Sequence, residues 1–286
     1  MSRWQQLRTW ALETEGSTRS SALIRIFLVT LLWARWANDL VLFREFASPQ
    51  GWVFVAIGVN FYLATTLMLV GLWTRFASIW TASVVATMVV YAGALGRGDW
   101  GHHHTYLLAQ AACLCACTPS GRSYSIDRWL AVRRAEASGE PLPPERGNLW
   151  GLRLMSLQLS SIYFWGAFDK SSFAFLSGER MEHYLMWFYL GSDRPSAGWV
   201  GALLLLIAVT TVLLEYALSV GLLFRRSRRY LLLPGIALHA LFYVLVPVFT
   251  FSATMVCLYL AVVDANTVHR IIDRLHGGLN GSSSSP

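Results

Sequence analysis

Apolar residues fill most of the chain in long blocks, near Ala22 to Phe43, Trp52 to Trp73, Ala77 to Leu95, His104 to Thr118, Leu149 to Leu176, Trp199 to Phe224, Tyr230 to Pro247 and Val248 to Val263. Blocks of about 20 apolar residues match a hydrocarbon core ~30 Å thick when they run as helices. Backbone inside lipid finds no water, so each block is expected to satisfy its own hydrogen bonds as a helix. No ten-residue run alternates apolar and polar positions, as the strands of a membrane barrel would. The pattern predicts an all-α membrane protein, a single bundle of about eight transmembrane helices whose last two share Pro247 as a tight boundary.

The polar stretches between blocks add detail. Pro119 to Asn148 joins an arginine-rich amphipathic run to GEPLPPERG, whose prolines end any helix, and reads as a hinge or surface loop. Ser177 to Gly198 sets charges beside Tyr184, Trp187, Phe188 and Tyr189, which predicts an outer interfacial helix. The first 21 residues lack the apolar core and small-residue cleavage site of a signal peptide, so the first block is expected to be retained as a span. Residues 1–276 form the expected transmembrane domain and 277–286 a flexible tail.

Composition agrees with this picture. Of 286 residues 55% are hydrophobic and 14% charged, against about a quarter charged in soluble domains. A net charge of +7 raises nucleic acid as a partner, but the arginines gather at block ends instead of along one aromatic-studded face. The expected partner is the lipid bilayer, with no nucleic acid. Under the positive-inside bias, Arg3, Arg8, Arg19, Arg75, the group from Arg122 to Arg146, the group from Arg225 to Arg229, Arg270 and Arg274 face the cytoplasm. Arg44, Arg97, Arg180 and Arg194 remain outside. That split predicts an inner-membrane protein with both termini cytoplasmic. Cys113, Cys115, Cys117 and Cys257 form no CxxC pair or spaced framework.

Ionisable residues at membrane depth are costly and mark candidate sites. Arg35 and Asp39, four apart, can pair within one helix, either to solve their own burial or to serve a site. Arg25 lies near the inner end, where snorkelling accounts for it. Glu215 and His239 each sit roughly 10 residues from the RRSRR loop, ~15 Å deep by helical rise. Adjacent antiparallel helices could join them as a carboxylate orienting an imidazole, or as a plain interhelical hydrogen bond. Lys170 is the one lysine among 23 basic residues, a bias toward arginine that fits a GC-rich bacterial source. It toggles its charge where arginine cannot, or else it snorkels. The run His102, His103 and His104 has no helical zinc spacing, and no metal is expected. By topology His104 and Lys170 both lie near the outer leaflet, a placement that would allow a shared outward-facing cavity.

HTYL around His104, IYFWGAFDK ending at Lys170 with Gly178 eight residues on, and the His239 helix followed by FSATM resemble segments of the HTTM family. That family is the membrane domain related to vitamin K-dependent gamma-glutamyl carboxylase. GLWTR at Gly71 to Arg75 and SID at Ser125 to Asp127 are similar to common features of the same family, and the likeness spans nearly the whole chain. In the carboxylase, a lysine matching Lys170 deprotonates reduced vitamin K, and the strong base formed with oxygen removes a glutamate gamma proton. The resemblance therefore implies Lys170 as the initiating base, with His104 and His239 as catalytic histidines that position the oxyanion. It implies a reduced quinone, menaquinone or vitamin K-like, as cofactor. Glu215, Tyr163, Arg35 and Asp39 are the substrate or relay candidates.

Two departures bear on the substrate. The chain ends after the eighth block, without the lumenal domain of the carboxylase, and Asp169 stands where that enzyme has a second lysine. Glutamate carboxylation is therefore not the expected activity; a quinone-dependent enzyme acting on a peptide or lipid-soluble substrate is. Another HTTM relative, the membrane factor for maturation of the sporulation-delaying toxin, implies a non-catalytic role in peptide maturation or export. A DoxX-like quinone oxidoreductase subunit is a third reading.

Overall fold

The computed structural model describes residues 2–41, 51–94, 103–191, 198–246 and 248–281. The chain is about 85% helical. Its elements in order are α1 (Arg3–Arg8), a π-helical turn (Thr9–Glu13), β1 (Glu15–Ser17), α2 (Arg19–Val41), α3 (Gly51–Val70), α4 (Thr74–Ala94) and α5 (His103–Ala116). They continue with α6 (Ile126–Ser138), β2 (Arg146–Asn148), α7 (Trp150–Lys170), α8 (Phe173–Leu176) and α9 (Glu179–Leu185). The last are α10 (Gly198–Gly221), α11 (Arg225–Leu245), α12 (Phe249–Val262) and α13 (Ala265–Gly281).

Among the described residues each apolar block coincides with a helix, namely α2 to α5, α7 and α10 to α12. Four helices are long and apolar enough to cross a membrane: α2, α3, α4 and α10. A fifth candidate arises if Phe249–Val262 and Ala265–Leu275 make one broken span. The others fall short for two reasons. α5 and α12 have 14 residues each, which gives about 21 Å at helical rise. α7 and α11 have 21 residues but carry polar groups, Arg153 and Lys170 in one and the arginines from Arg225 to Arg229 in the other. Pro247, Arg44, Arg97, Arg194 and His102 lie outside the described residues. The tail expected from 277 is helical to Gly281 in α13, and 282–286 lie outside the described residues.

Packing divides the chain into two compact units, Met1–Met155 with Val263–Pro286, and Ser156–Val262. In the first unit, Ile24, Leu28, Leu32 and Trp36 follow at intervals of four and form the buried stripe of α2. Interhelical hydrogen bonds supplement the packing: Trp33 Nε1 donates to Thr65 Oγ1 at 2.8 Å and Tyr62 to the Ala37 carbonyl at 2.8 Å. The stretch expected as a surface loop holds α6, whose N-terminus Ser125 caps and whose C-terminus Gly139 closes at φ 69°. It also holds β2, which pairs antiparallel with β1, Gly16 opposite Gly147. A strand of three residues just after Pro143 and Pro144 is too short to leave a period in the sequence. Arg19 then ties this corner together, its Nε 2.7 Å from Glu145 and its Nη1 2.6 Å from Asp273 of α13.

In the second unit α10, α11 and α12 pack in chain order. α8 and α9 dock on α10 through a buried core of Phe175, Met181, Ala208 and Val212. Residues 156–170 of α7 belong to this unit, where Ser156 Oγ donates to the Ala261 carbonyl at 3.0 Å and Ser160 Oγ to the Ser219 carbonyl.

Candidate functional site

α7 presents Tyr163, Gly166 and Lys170, three and four residues apart and so on one face. At its end Lys170 Nζ donates to both carboxylate oxygens of Glu215, at 3.1 and 3.0 Å, and to the Gly166 carbonyl at 3.2 Å. The Glu215 side chain on α10 is 6% exposed and that of Lys170 24%. A Cβ on residue 166 would stand 3.3 Å from Nζ, so glycine leaves the ammonium room. Asp169, next in sequence, is exposed and makes no ion pair with Lys170.

Two turns earlier the Tyr163 hydroxyl lies 2.7 Å from Nε2 of His239 on α11 and 2.6 Å from the Tyr259 hydroxyl on α12. All three side chains are buried. Phe242 and Phe251 flank the imidazole, the latter from the FSATM segment. With the proton on Nδ1, Nε2 accepts from Tyr163, whose oxygen accepts from Tyr259. Nδ1 is then a buried donor with no hydrogen-bond partner among the described residues. Gly235, one turn before His239, lets this cluster close, because the Tyr259 hydroxyl occupies the place a Cβ would take.

The expected partnership of Glu215 with His239 is not made. α10 and α11 are neighbours, but α7 offers each group a better match. An ammonium satisfies both oxygens of a carboxylate at once, and charge-assisted bonds are about twice as strong as neutral ones. The imidazole is left to the phenol. Tyr259 was not singled out from sequence; its hint is position alone, one turn past Met255 of FSATM.

The other candidates belong to the first unit. His104 stands half-buried at the start of α5. Arg35 and Asp39 form the expected i, i+4 pair at 3.3 Å. Arg25 departs from expectation: it does not snorkel but is fully buried, with Nη2 donating to the Tyr124 carbonyl at 2.5 Å. The described residues contain no group of three metal-ligating side chains.

A family model described as the HTTM domain matches residues 33–266. The chain belongs to the HTTM family. No curated protein and no solved structure matches it. It is a membrane protein, and the HTTM match takes in both the Lys170 pair and the His239 cluster.

Within this HTTM chain the GLWTR and SID segments meet. Gly71 adopts φ 68°, and the Arg25 guanidinium and the Ser125 side chain occupy the space where its Cβ would lie. Asp127 caps α4 from outside: its Oδ1 accepts from Trp73 N–H at 2.9 Å, and its Oδ2 from Thr74 N–H and Oγ1, both at 2.7 Å. The Asp127 N–H in turn donates to the Gly71 carbonyl at 3.0 Å. These motif residues hold a corner of the fold.

Proposed function

We propose that this HTTM protein is a membrane enzyme that binds a reduced quinone or related amphiphile and uses Lys170 as the initiating base. The supporting observation is the Lys170–Glu215 pair on the same helix face as the buried Tyr163–His239–Tyr259 cluster. The fit to a quinone rests on Nδ1 of His239, a buried polar atom without a partner among the described residues and set between Phe242 and Phe251. Such a group beside aromatic rings suits a ligand that carries an oxygen on an apolar ring. When bound, a reduced quinone supplies a hydroxyl proton to a base and electrons to oxygen.

Lys170 becomes that base by passing a proton to Glu215 along the 3.0 Å contact. The ion pair turns into an amine and a carboxylic acid with no change in net charge, a form that a poorly hydrated site accommodates at lower solvation cost. When Nε2 of His239 accepts from Tyr163, the imidazole proton sits on Nδ1 and is the donor offered to the ligand. Arginine cannot take the place of Lys170, since its guanidinium stays protonated.

Native mass spectrometry with lipid extraction tests the reading on wild type, Lys170→Ala and Lys170→Arg, followed by supply of reduced menaquinone and oxygen. The expected result is a stoichiometric quinone in wild type and product formation lower by about 100-fold or more in both variants, the scale of general-base catalysis. His104→Ala in the same assay tests the role implied for that histidine. No quinone, or a peptide retained equally by wild type and Lys170→Ala, would overturn the proposal in favour of peptide maturation.

We also infer that all eight block helices cross a bacterial inner membrane, with α9 at the outer interface and both termini cytoplasmic. The contacts of Arg19 with Glu145 and Asp273 support this, because they join three stretches that the positive-inside bias puts on one side. Reporter fusions after Ser138, Gly191 and Gly281 should read inside, outside and inside.

A further inference from the structure

A cavity of about 930 Å³ opens at the arginine-rich end of the first unit, apart from the proposed chemistry. Its walls are the start of α4, the end of α5, α6 and the segment around Pro143. Three guanidinium groups line it, those of Arg75, Arg122 and Arg128. Arg122 donates to the Arg146 carbonyl at 2.5 Å and Arg128 to that of Pro143, which fixes both side chains and leaves each with further N–H groups. Arg75 makes no hydrogen bond or ion pair among the described residues, and none of the three has a carboxylate partner there. Two acidic residues also line the cavity. Against Glu15 and Asp127 the three guanidinium groups are in excess by one charge, and the Asp127 carboxylate is already engaged by Trp73 and Thr74 at the start of α4.

The cavity is in the size range of sites for whole organic ligands rather than single ions. Ile79, Ala131 and Trp150 give it an apolar flank beside the arginines. Trp73, Phe76 and Trp129 are exposed on the same corner of the first unit. Exposed aromatic residues at helix ends are characteristic of the water–lipid boundary, and basic pockets there take lipid headgroups.

We propose that this cavity binds the phosphate group of an anionic phospholipid, held by Arg75, Arg122 and Arg128, with the apolar flank against the glycerol and first acyl carbons. Guanidinium groups match phosphate oxygens in geometry and charge. The site is independent of the quinone reading and stands if that reading fails.

The test titrates the full-length protein in detergent with dioleoylphosphatidylglycerol, dioleoylphosphatidylcholine and glycerol 1-phosphate, scored by native mass spectrometry. Arg75→Gln is the main variant, because among the described residues the side chain makes no bond whose loss could unfold the protein. Arg133→Gln, on α6 with its guanidinium over Trp129 and outside the cavity lining, is the control. The expected result is roughly five- to tenfold preference for the glycerol lipid over the choline lipid, lost in Arg75→Gln, kept in Arg133→Gln and partly restored by Arg75→Lys. Equal retention of the two lipids, or equal losses in Arg75→Gln and Arg133→Gln, overturns the proposal. Glycerol 1-phosphate bound as tightly as the lipid overturns the lipid assignment and makes a soluble phosphate compound the ligand.

Discussion

Asp127 is a half-buried carboxylate and Glu215 a buried one, and they are satisfied in opposite ways. Asp127 accepts from two backbone amides and a hydroxyl at the start of α4. Among the described residues Glu215 accepts from Lys170 alone, a side chain rather than backbone. Around Asp127 the neighbours are backbone and a glycine in the left-handed region, so the corner is fixed by main-chain geometry. Around Glu215 the polar contacts run between side chains, Lys170 to Glu215 and, nearby on α7, Tyr163 to His239 and Tyr259. Backbone-bound charge builds a fold, whereas a pair of side chains is what the proposed proton exchange requires.

The largest expected effect lies at the exchangeable pair. Lys170→Ala leaves Glu215 buried without a counter-charge, which should lower stability by about 3–5 kcal/mol if its carboxylate stays ionised. Lys170→Met combined with Glu215→Leu removes both charges and should recover all but about 1 kcal/mol. Thermal unfolding in detergent measures both. The double variant should unfold like wild type and form no quinone product. A double variant that remains active would make the pair structural and erase its contrast with Asp127.

At the rigid corner, Gly71→Ala should cost about 3 kcal/mol, since an alanine meets both an unfavourable φ and the Arg25 guanidinium. Asp127→Ala is milder, about 1–2 kcal/mol, the usual loss of an N-cap, and Asp127→Asn should lose less because its amide oxygen still accepts. Neither Asp127 variant should alter quinone retention. A variant at Asp127 that unfolds normally but loses quinone would show that the corner does more than hold α4.

Much of this was legible in sequence, and what was missed has a physical reason. Block length and apolarity marked α2 to α5, α7 and α10 to α12, whereas α6 and α13 carry many polar residues and left no such block. Lys170, His239, Glu215 and Tyr163 were singled out by their cost at depth or by family likeness, and all four lie in the second unit. Which partner each would choose was hidden, since the pairing depends on the rotation of α7 about its axis and not on the matched depth of α10 and α11. The cap at Asp127 was hidden too: SID and GLWTR are over 50 residues apart, and nothing local in either calls for the other. The division into two units has no composition break to announce it, because it falls inside α7 and just after α12.

The smallest expected effect belongs to Arg35 and Asp39, a polar pair within a block that sequence and structure agree on. The pair is local, at 3.3 Å on successive turns, with 18% of the arginine and 35% of the aspartate side chain exposed. The Arg35 guanidinium also lies over the ring of Trp36, which stabilises it without the carboxylate. A double-mutant cycle with Arg35→Gln and Asp39→Asn should therefore give a coupling of only about 0.3–0.5 kcal/mol, the value for exposed helical pairs. Coupling above about 2 kcal/mol, or loss of quinone product in Asp39→Asn, would move this pair from the class of Asp127 into that of Glu215. It would then become a second exchangeable site, in the first unit.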